Sequence, residues 1–265
     1  MEKPVVLRLD GVSKSFAKVE TDDITNALDN IDLTMESGEF ISLVGASGCG
    51  KSTILRLIAG LITPTTGTVT VNGEAVTGPG PDRGMVFQNP TLFPWLTVEK
   101  NISFSLRMQN KFKGHEDSVE KMLKLIGLEA FKDDYPMQLS GGMAQRVALV
   151  RSLINEPEIL LLDEPLGALD AFTRMNMQDE ILSIWREKKQ LLIMVTHDID
   201  EAIYMGTKVI VMDAAPGRVK AQIPIEMEYP RNRSSSLFVE YRNQILEMLH
   251  YGAKEDKNHK GDKVL

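Results

Sequence analysis

Gly45-Ala46-Ser47-Gly48-Cys49-Gly50-Lys51-Ser52 has the G-x-x-x-x-G-K-[ST] spacing of a phosphate-binding loop. Upstream, Phe40-Ile41-Ser42-Leu43-Val44 is a short apolar run of strand character. Downstream, Ser52-Thr53-Ile54-Leu55-Arg56-Leu57-Ile58-Ala59 carries the apolar face of a helix. A strand feeding a glycine turn that opens a helix makes an anion cradle. The glycines permit backbone angles that turn successive N–H groups inward, and the helix start adds unpaired donors and a partial positive charge. In such a cradle the backbone from Gly45 to Ser52 faces the phosphates. Lys51 reaches the β- and γ-phosphates as a mobile cation, Ser52 ligates a bridging Mg²⁺, and Thr53 adds a phosphate hydrogen bond. A chance glycine turn is the alternative, and the flanking strand and helix weigh against it.

The chain of 265 residues has room for one large α/β domain or two small ones. No apolar run comes near the roughly 20 residues needed to cross a bilayer. Met1-Glu2-Lys3-Pro4 leads straight into a strand-like segment without a secretory pattern, so a cytoplasmic location is expected. A single cysteine, Cys49, excludes an internal disulfide and a cysteine metal cluster. Net charge is −7 with the basic residues scattered outside the tail, which argues against a nucleic-acid footprint.

Further strands are expected at Val5 to Leu9 and Ala27 to Met35, with Ser13-Lys14-Ser15-Phe16 and the polar stretch through Thr25 as turn and loop. Phe16 could offer a flat face to a nucleobase or belong to the core. Gly67 to Val71 and Gly84 to Phe87 are strand candidates, and Gln88 at the end of the second is placed for a metal or water contact. Leu92-Phe93-Pro94-Trp95-Leu96 is an apolar loop, either a docking surface or a core plug. From Thr97 to about Phe131 the pattern is helical.

Leu139-Ser140-Gly141-Gly142-Met143-Ala144-Gln145-Arg146 opens a helix to about Leu153, with Ser140 as N-cap and two glycines that allow close approach. It is a second anion-binding helix start in a chain with one phosphate loop, so its phosphate comes from a facing copy. Glu158 to Pro165 is an apolar strand ending in two acids, read as Mg²⁺ handling at Asp163 and water activation at Glu164. Gln190 to Thr196 repeats the pattern and ends at His197, placed for the γ-phosphate, with Asp198 starting the next helix. Lys208 to Met212 and Arg218 to Ile223 form a hairpin, and Ser234 to Tyr251 a last amphipathic helix. From Gly252 the polar tail has little to bury and is expected to be disordered. Cys49, at a helix start, is expected to be a reactive thiol whose alkylation blocks activity and is slowed by MgATP.

From Val5 to Leu249 the chain resembles the ATP-binding subunit of an ABC transporter. The phosphate loop, Gln88, the LSGGM-type stretch from Leu139, the ILLLDEP strand, Leu169-Asp170 and His197 follow that family's order. Met143 stands where glutamine is more frequent. The resemblance implies an α/β fold: a P-loop NTPase core with a mostly parallel sheet, an N-terminal antiparallel β subdomain and a helical signature subdomain at about 97–155. The ATP-binding domain would span 1–251, with 252–265 as a polar tail. It implies ATP and Mg²⁺ as cofactors, with two copies sandwiching two ATP molecules head to tail. Each ATP would lie between Lys51, Ser52 and Thr53 of one copy and Ser140, Gly141 and Gly142 of the other. Phe16 would stack on adenine, Gln88 sense magnesium and the membrane partner, Glu164 polarise water, His197 hold the γ-phosphate, and Asp170 link the two sites.

Gly78 to Gln88, Leu92 to Thr97 and Pro230-Arg231-Asn232-Arg233 are similar to importers of the nitrate, aliphatic sulfonate and taurine type. Importers of pyrimidine precursors, riboflavin or aromatic acids are the alternative within the family. The implied partners are two transmembrane permease subunits and, indirectly, an extracytoplasmic solute-binding protein. The implied location is the cytoplasmic face of the membrane, as a peripheral subunit. A soluble non-transport ABC ATPase normally carries two cassettes or a coiled-coil insertion, and a small-molecule kinase would leave Ser140 without a purpose.

Overall fold

The computed structural model describes residues 4–17 and 23–258. In chain order, β1 (Val6–Ala17), β2 (Ile24–Glu36) and β3 (Phe40–Gly45) lead to α1 (Lys51–Ile58). Next come β4 (Thr66–Val71), β5 (Glu74–Ala75) and β6 (Arg83–Val86), then α2 (Val98–Ile102), α3 (Phe104–Met108), α4 (Glu116–Leu125) and α5 (Gly141–Leu153). The last part holds β7 (Ile159–Asp163), α6 (Ala171–Lys188), β8 (Leu191–Val195), α7 (Ile199–Met205), β9 (Lys208–Asp213), β10 (Arg218–Pro224) and α8 (Ser236–Asn258).

Two sheets result. β2-β1-β4-β5 is antiparallel, and β10-β9-β3-β8-β7-β6 is parallel apart from its edge strand β10. β7 and β8 are buried along their whole length, as unbroken apolar runs in a doubly covered parallel sheet must be. Alternate residues serve different cores. Leu160, Leu162, Leu192 and Met194 pack with α2 to α8, whereas Ile159, Leu161, Leu191 and Ile193 pack with α1 and the antiparallel sheet. Helix α1 therefore lies between the two sheets, and the loop preceding it is fixed from both sides.

In its secondary structure the chain departs from the sequence expectation in two places. Ser13 to Phe16 is not turn: β1 continues to Ala17, with Ser15 opposite Asn26 and Phe16 opposite Thr25. The register shifts between Leu9 and Ser15, and side chains stitch the irregular stretch. Ser13 Oγ accepts from Asn30 N at 3.0 Å, and Ser15 Oγ donates to Asn26 Oδ1 at 2.9 Å. Such bulges erase the alternation that marks a strand in sequence. The other departure is α8, whose backbone stays helical to Asn258, past Gly252. Ala, Lys and Glu are good helix formers, so polarity alone does not stop a helix anchored upstream by Phe238 and Ile245. Residues 259–265 of the expected tail lie outside the described residues, as do residues 1–3 and 18–22.

Candidate functional site

The parallel strands deliver the site to one sheet edge. β3 runs into the phosphate loop, the chain after β6 reaches Gln88, β7 ends at Asp163 and Glu164, and β8 ends just before His197. This is the edge where open α/β sheets bind ligands. Gln88, Glu164 and His197, together with Ser47, Lys51 and Thr53, line an open cleft of about 510 Å³.

Gly50 is obligatory in the loop. Its φ is +90°, and an added Cβ would lie 2.4 Å from Leu28 Cδ2 and 2.8 Å from the Ala27 carbonyl oxygen. The antiparallel sheet thus presses directly on the start of α1. Lys51 arches back over the loop and donates from Nζ to the carbonyls of Gly45 at 2.8 Å and Ala46 at 3.0 Å. Cys49 does not face the cleft: it is 0% exposed within the α1 core, its N–H donates to Ala46 O at 3.3 Å, and its Sγ lies 3.6 Å from Lys51 Nζ. The expectation of an accessible, reactive thiol is overturned, because the turn aims that side chain inward.

Ser52 Oγ donates to Asp163 Oδ1 at 2.9 Å. Asp163 is 5% exposed, and burial, partly offset by the Ser52 hydrogen bond, pushes its carboxyl above the usual range. Two hard oxygens beside a phosphate cradle suit Mg²⁺, which keeps waters and phosphate oxygens as its other ligands. Among the described residues no cluster of three or more His, Cys, Asp or Glu could hold a metal alone. The Ser52 hydroxyl and the Asp163 carboxylate are the oxygen donors that would hold such an ion here.

Glu164 collects two partners on one oxygen. Gln88 Nε2 donates to Oε2 at 3.0 Å and His197 Nδ1 lies 3.5 Å from the same atom. The Glu164 backbone is left-handed, with φ 47°, held by its N–H to Val195 O at 3.0 Å.

The other site candidates lie outside the cleft. Ser140 caps α5, accepting from Met143 N at 3.3 Å, and a Cβ at Gly141 would meet nothing in this chain within 4 Å. Asp170 caps α6 through Oδ1, and hydrogen bonding by Thr173, then by the Phe172 amide, holds its carboxyl below the usual range. Phe16 is 40% exposed, with Lys14 Nζ 5.0 Å from its ring, so it is not a core residue.

The loop 92–96 divides its roles. Phe93 packs against Phe104 with centroids 4.4 Å apart, whereas Trp95 is 70% exposed. Phe93, Phe104 and Arg151 border a second cleft of about 730 Å³. The loop is shaped by Asn101, fully buried, which accepts from Phe93 N at 2.8 Å and donates to the carbonyls of Phe93, Leu96 and Thr97. Gln145 of α5 donates to Phe87 O at 3.2 Å, tying the signature helix to the residue before Gln88. Neither amide was legible as functional: Asn101 reads as one more polar helix residue, and Gln145 sits inside the signature without a visible partner.

Residues 28–167 match the family model described as ABC transporter. An uncharacterized ABC transporter ATP-binding protein of Methanocaldococcus jannaschii is 48% identical over 92% of this chain and 91% of its own length. An aliphatic sulfonates import ATP-binding protein of Bacillus subtilis is 47% identical over 88% of this chain and 91% of its own length. Among solved structures, a dimeric post-hydrolysis ATP-binding cassette bound to ADP and Pi is similar at a TM-score of 0.74 and 32% identity. That match covers 84% of this chain and 100% of the other.

Proposed function

The chain belongs to the ABC transporter family as an ATP-binding subunit that couples ATP hydrolysis to import, and on that premise we propose a cargo, partners and residue roles. The cargo is an aliphatic sulfonate or a related small organic anion, in line with the names of relatives such as the Bacillus subtilis protein. The working unit is two copies head to tail, attached to two permease subunits and served by an extracytoplasmic binding protein. Attachment runs through the permeases at the cytoplasmic face; no helix among the described residues is long and apolar enough to cross a membrane.

The supporting observation is the division of the candidate residues. Gln88, Glu164 and His197 share a cleft with the phosphate loop, while Ser140, Gly141, Gly142 and Asp170 are not among the residues that line it. A facing copy completes each site, and Phe16 stacks on the adenine. Ser52 and Asp163, with help from Gln88, would hold Mg²⁺, which would supply positive charge against the charge building on the phosphates. Lys51 exchanges its carbonyl partners for the β- and γ-phosphates. Glu164 takes a hydrogen bond from the attacking water and draws off its proton, and His197 donates to the γ-phosphate. Gln88, bonded to Glu164 and followed in the chain by the loop of the exposed Trp95, reports the state of the site to the permease. The cleft beside Phe93 takes the permease's cytoplasmic helix.

The test is purification with the permease partners into proteoliposomes. ATP turnover is expected to rise when the binding protein carries an alkanesulfonate and to stay basal with nitrate or a pyrimidine precursor. The reverse preference would overturn the cargo assignment, and failure to recover any membrane complex would overturn the partners.

A further inference from the structure

The segment after β10 returns across α7, the helix that begins two residues after His197. Three of its arginines engage that helix. Arg231, 5% exposed, donates to the carbonyls of Ile203 and Gly206 at the helix's C-terminal end. Arg242 holds Asp200 through two hydrogen bonds of 2.5 and 2.6 Å. Arg233 lies 3.8 Å over the Tyr204 ring and donates to Gln178 Oε1 at 2.5 Å.

The Arg233 contact starts a polar chain. With its oxygen held by a guanidinium, the Gln178 amide turns its nitrogen the other way and donates to Glu201 Oε1 at 3.1 Å. The Glu201 N–H donates to Asp198 Oδ1 at 3.1 Å, and the Asp198 N–H in turn donates to Thr196 Oγ1 at 3.0 Å. Thr196 and Asp198 are the two chain neighbours of His197. Gln178, Glu201 and Thr196 are 2%, 4% and 2% exposed, so water does not compete for these bonds. A Gln178 amide turned over would set its oxygen against the Glu201 carboxylate, two acceptors in a buried site. Arg233 and Glu201 thus hold the amide in one orientation from its two ends.

We infer that Arg233 is a positioning residue for ATP hydrolysis: through Gln178, Glu201 and Asp198 it fixes the backbone that carries His197. The inference rests on the assignment of His197 to the γ-phosphate. It gives the segment after β10 a task in turnover and a route by which a partner gripping that segment would set the rate.

The test is a double-mutant cycle in the full chain. Arg233→Met is expected to lower kcat for ATP by about tenfold, the scale for a reacting group displaced by a fraction of an ångström. KM is expected to stay within about twofold. In a His197→Ala background the same substitution is expected to cost nothing further, because the residue being positioned is gone. Arg233→Lys, which keeps a donor toward Gln178, is expected to restore most of the rate. If Arg233→Met does not fold, Gln178→Leu interrupts the same chain in the middle and is read by the same cycle. Additive losses in either cycle would overturn the inference and leave the role of His197 standing. A His197→Ala chain with unchanged kcat would overturn both.

Discussion

Gln88 Nε2 donates to Glu164 Oε2 at 3.0 Å, joining the ends of two neighbouring strands across the mouth of the phosphate cleft. The amide engages the carboxylate that is assigned to the attacking water. Replacing that carboxylate by an amide removes the base while keeping size and most hydrogen bonds. Glu164→Gln is expected to lower ATP turnover by at least ~100-fold, the usual worth of a general base. It should also accumulate an ATP-dependent dimer on size exclusion. A variant that stays monomeric with ATP while wild type turns over would remove Glu164 from this role.

Lys51 satisfies its ammonium on two loop carbonyls, a position from which it reaches the mouth of the cradle by rotating its side chain. Lys51→Ala deletes the only side-chain cation of the loop. Charge-assisted hydrogen bonds are worth about 1.5–3 kcal/mol each, so ATP affinity is expected to weaken at least ~10-fold, with turnover falling in parallel. Equilibrium nucleotide binding measures this directly, and unchanged affinity would take the loop's lysine out of the account.

Trp95 is 70% exposed on a loop that Asn101 holds from beneath. A large ring displayed on a fixed loop has the character of an interface anchor. Trp95→Ala is expected to leave the turnover of the isolated chain unchanged and to weaken recovery of the membrane complex by roughly 30-fold, about 2 kcal/mol. Equal recovery in pull-down would move the docking surface elsewhere.

What could be read from sequence was local or shared by neighbouring strand ends. The loop at Gly45 to Ser52 announces itself through a strand, a turn and a helix in one short window. Gln88, Glu164 and His197 follow from apolar runs whose ends must meet at one sheet edge. What could not be read depends on direction or on distance along the chain. Cys49 and Lys51 are two residues apart, yet Cys49 is closed into the core and Lys51 bends over the loop carbonyls, a difference that no pattern in the sequence marks. The polar chain from Arg233 to Thr196 joins three elements with no shared period, and each member alone looks like a solvated polar residue.

Cys49 illustrates the consequence. A thiol needs exposure to react, and this one is 0% exposed. In native protein it is expected to resist a bulky thiol reagent for as long as the fold persists, and to react fully in denaturant. Protection by MgATP would then act through stability of the fold and not through occupancy of the cleft. Stoichiometric labelling within minutes under native conditions would contradict the burial.

Asp163 combines a task in the site with a cost to the fold. Its carboxyl is raised chiefly by burial, so the folded chain binds a proton there more readily than the unfolded chain. Its favourable contribution is therefore complete below the unfolded value of about 3.9 and is lost as pH rises through the raised folded value. At neutral pH the ionised form opposes folding. Glu201 is raised for the same first cause, so the wild-type profile contains both groups and only a difference isolates one of them. Asp163→Asn keeps an acceptor for the Ser52 hydroxyl and removes the charge. It is expected to melt at a higher temperature than wild type at pH 7, with the difference closing toward about pH 4, while Mg²⁺-dependent turnover is lost. Melting curves of both chains across that range decide the matter: a difference that grows toward acid would mean that Asp163 is stabilised as a carboxylate and that the Ser52 hydrogen bond outweighs its burial.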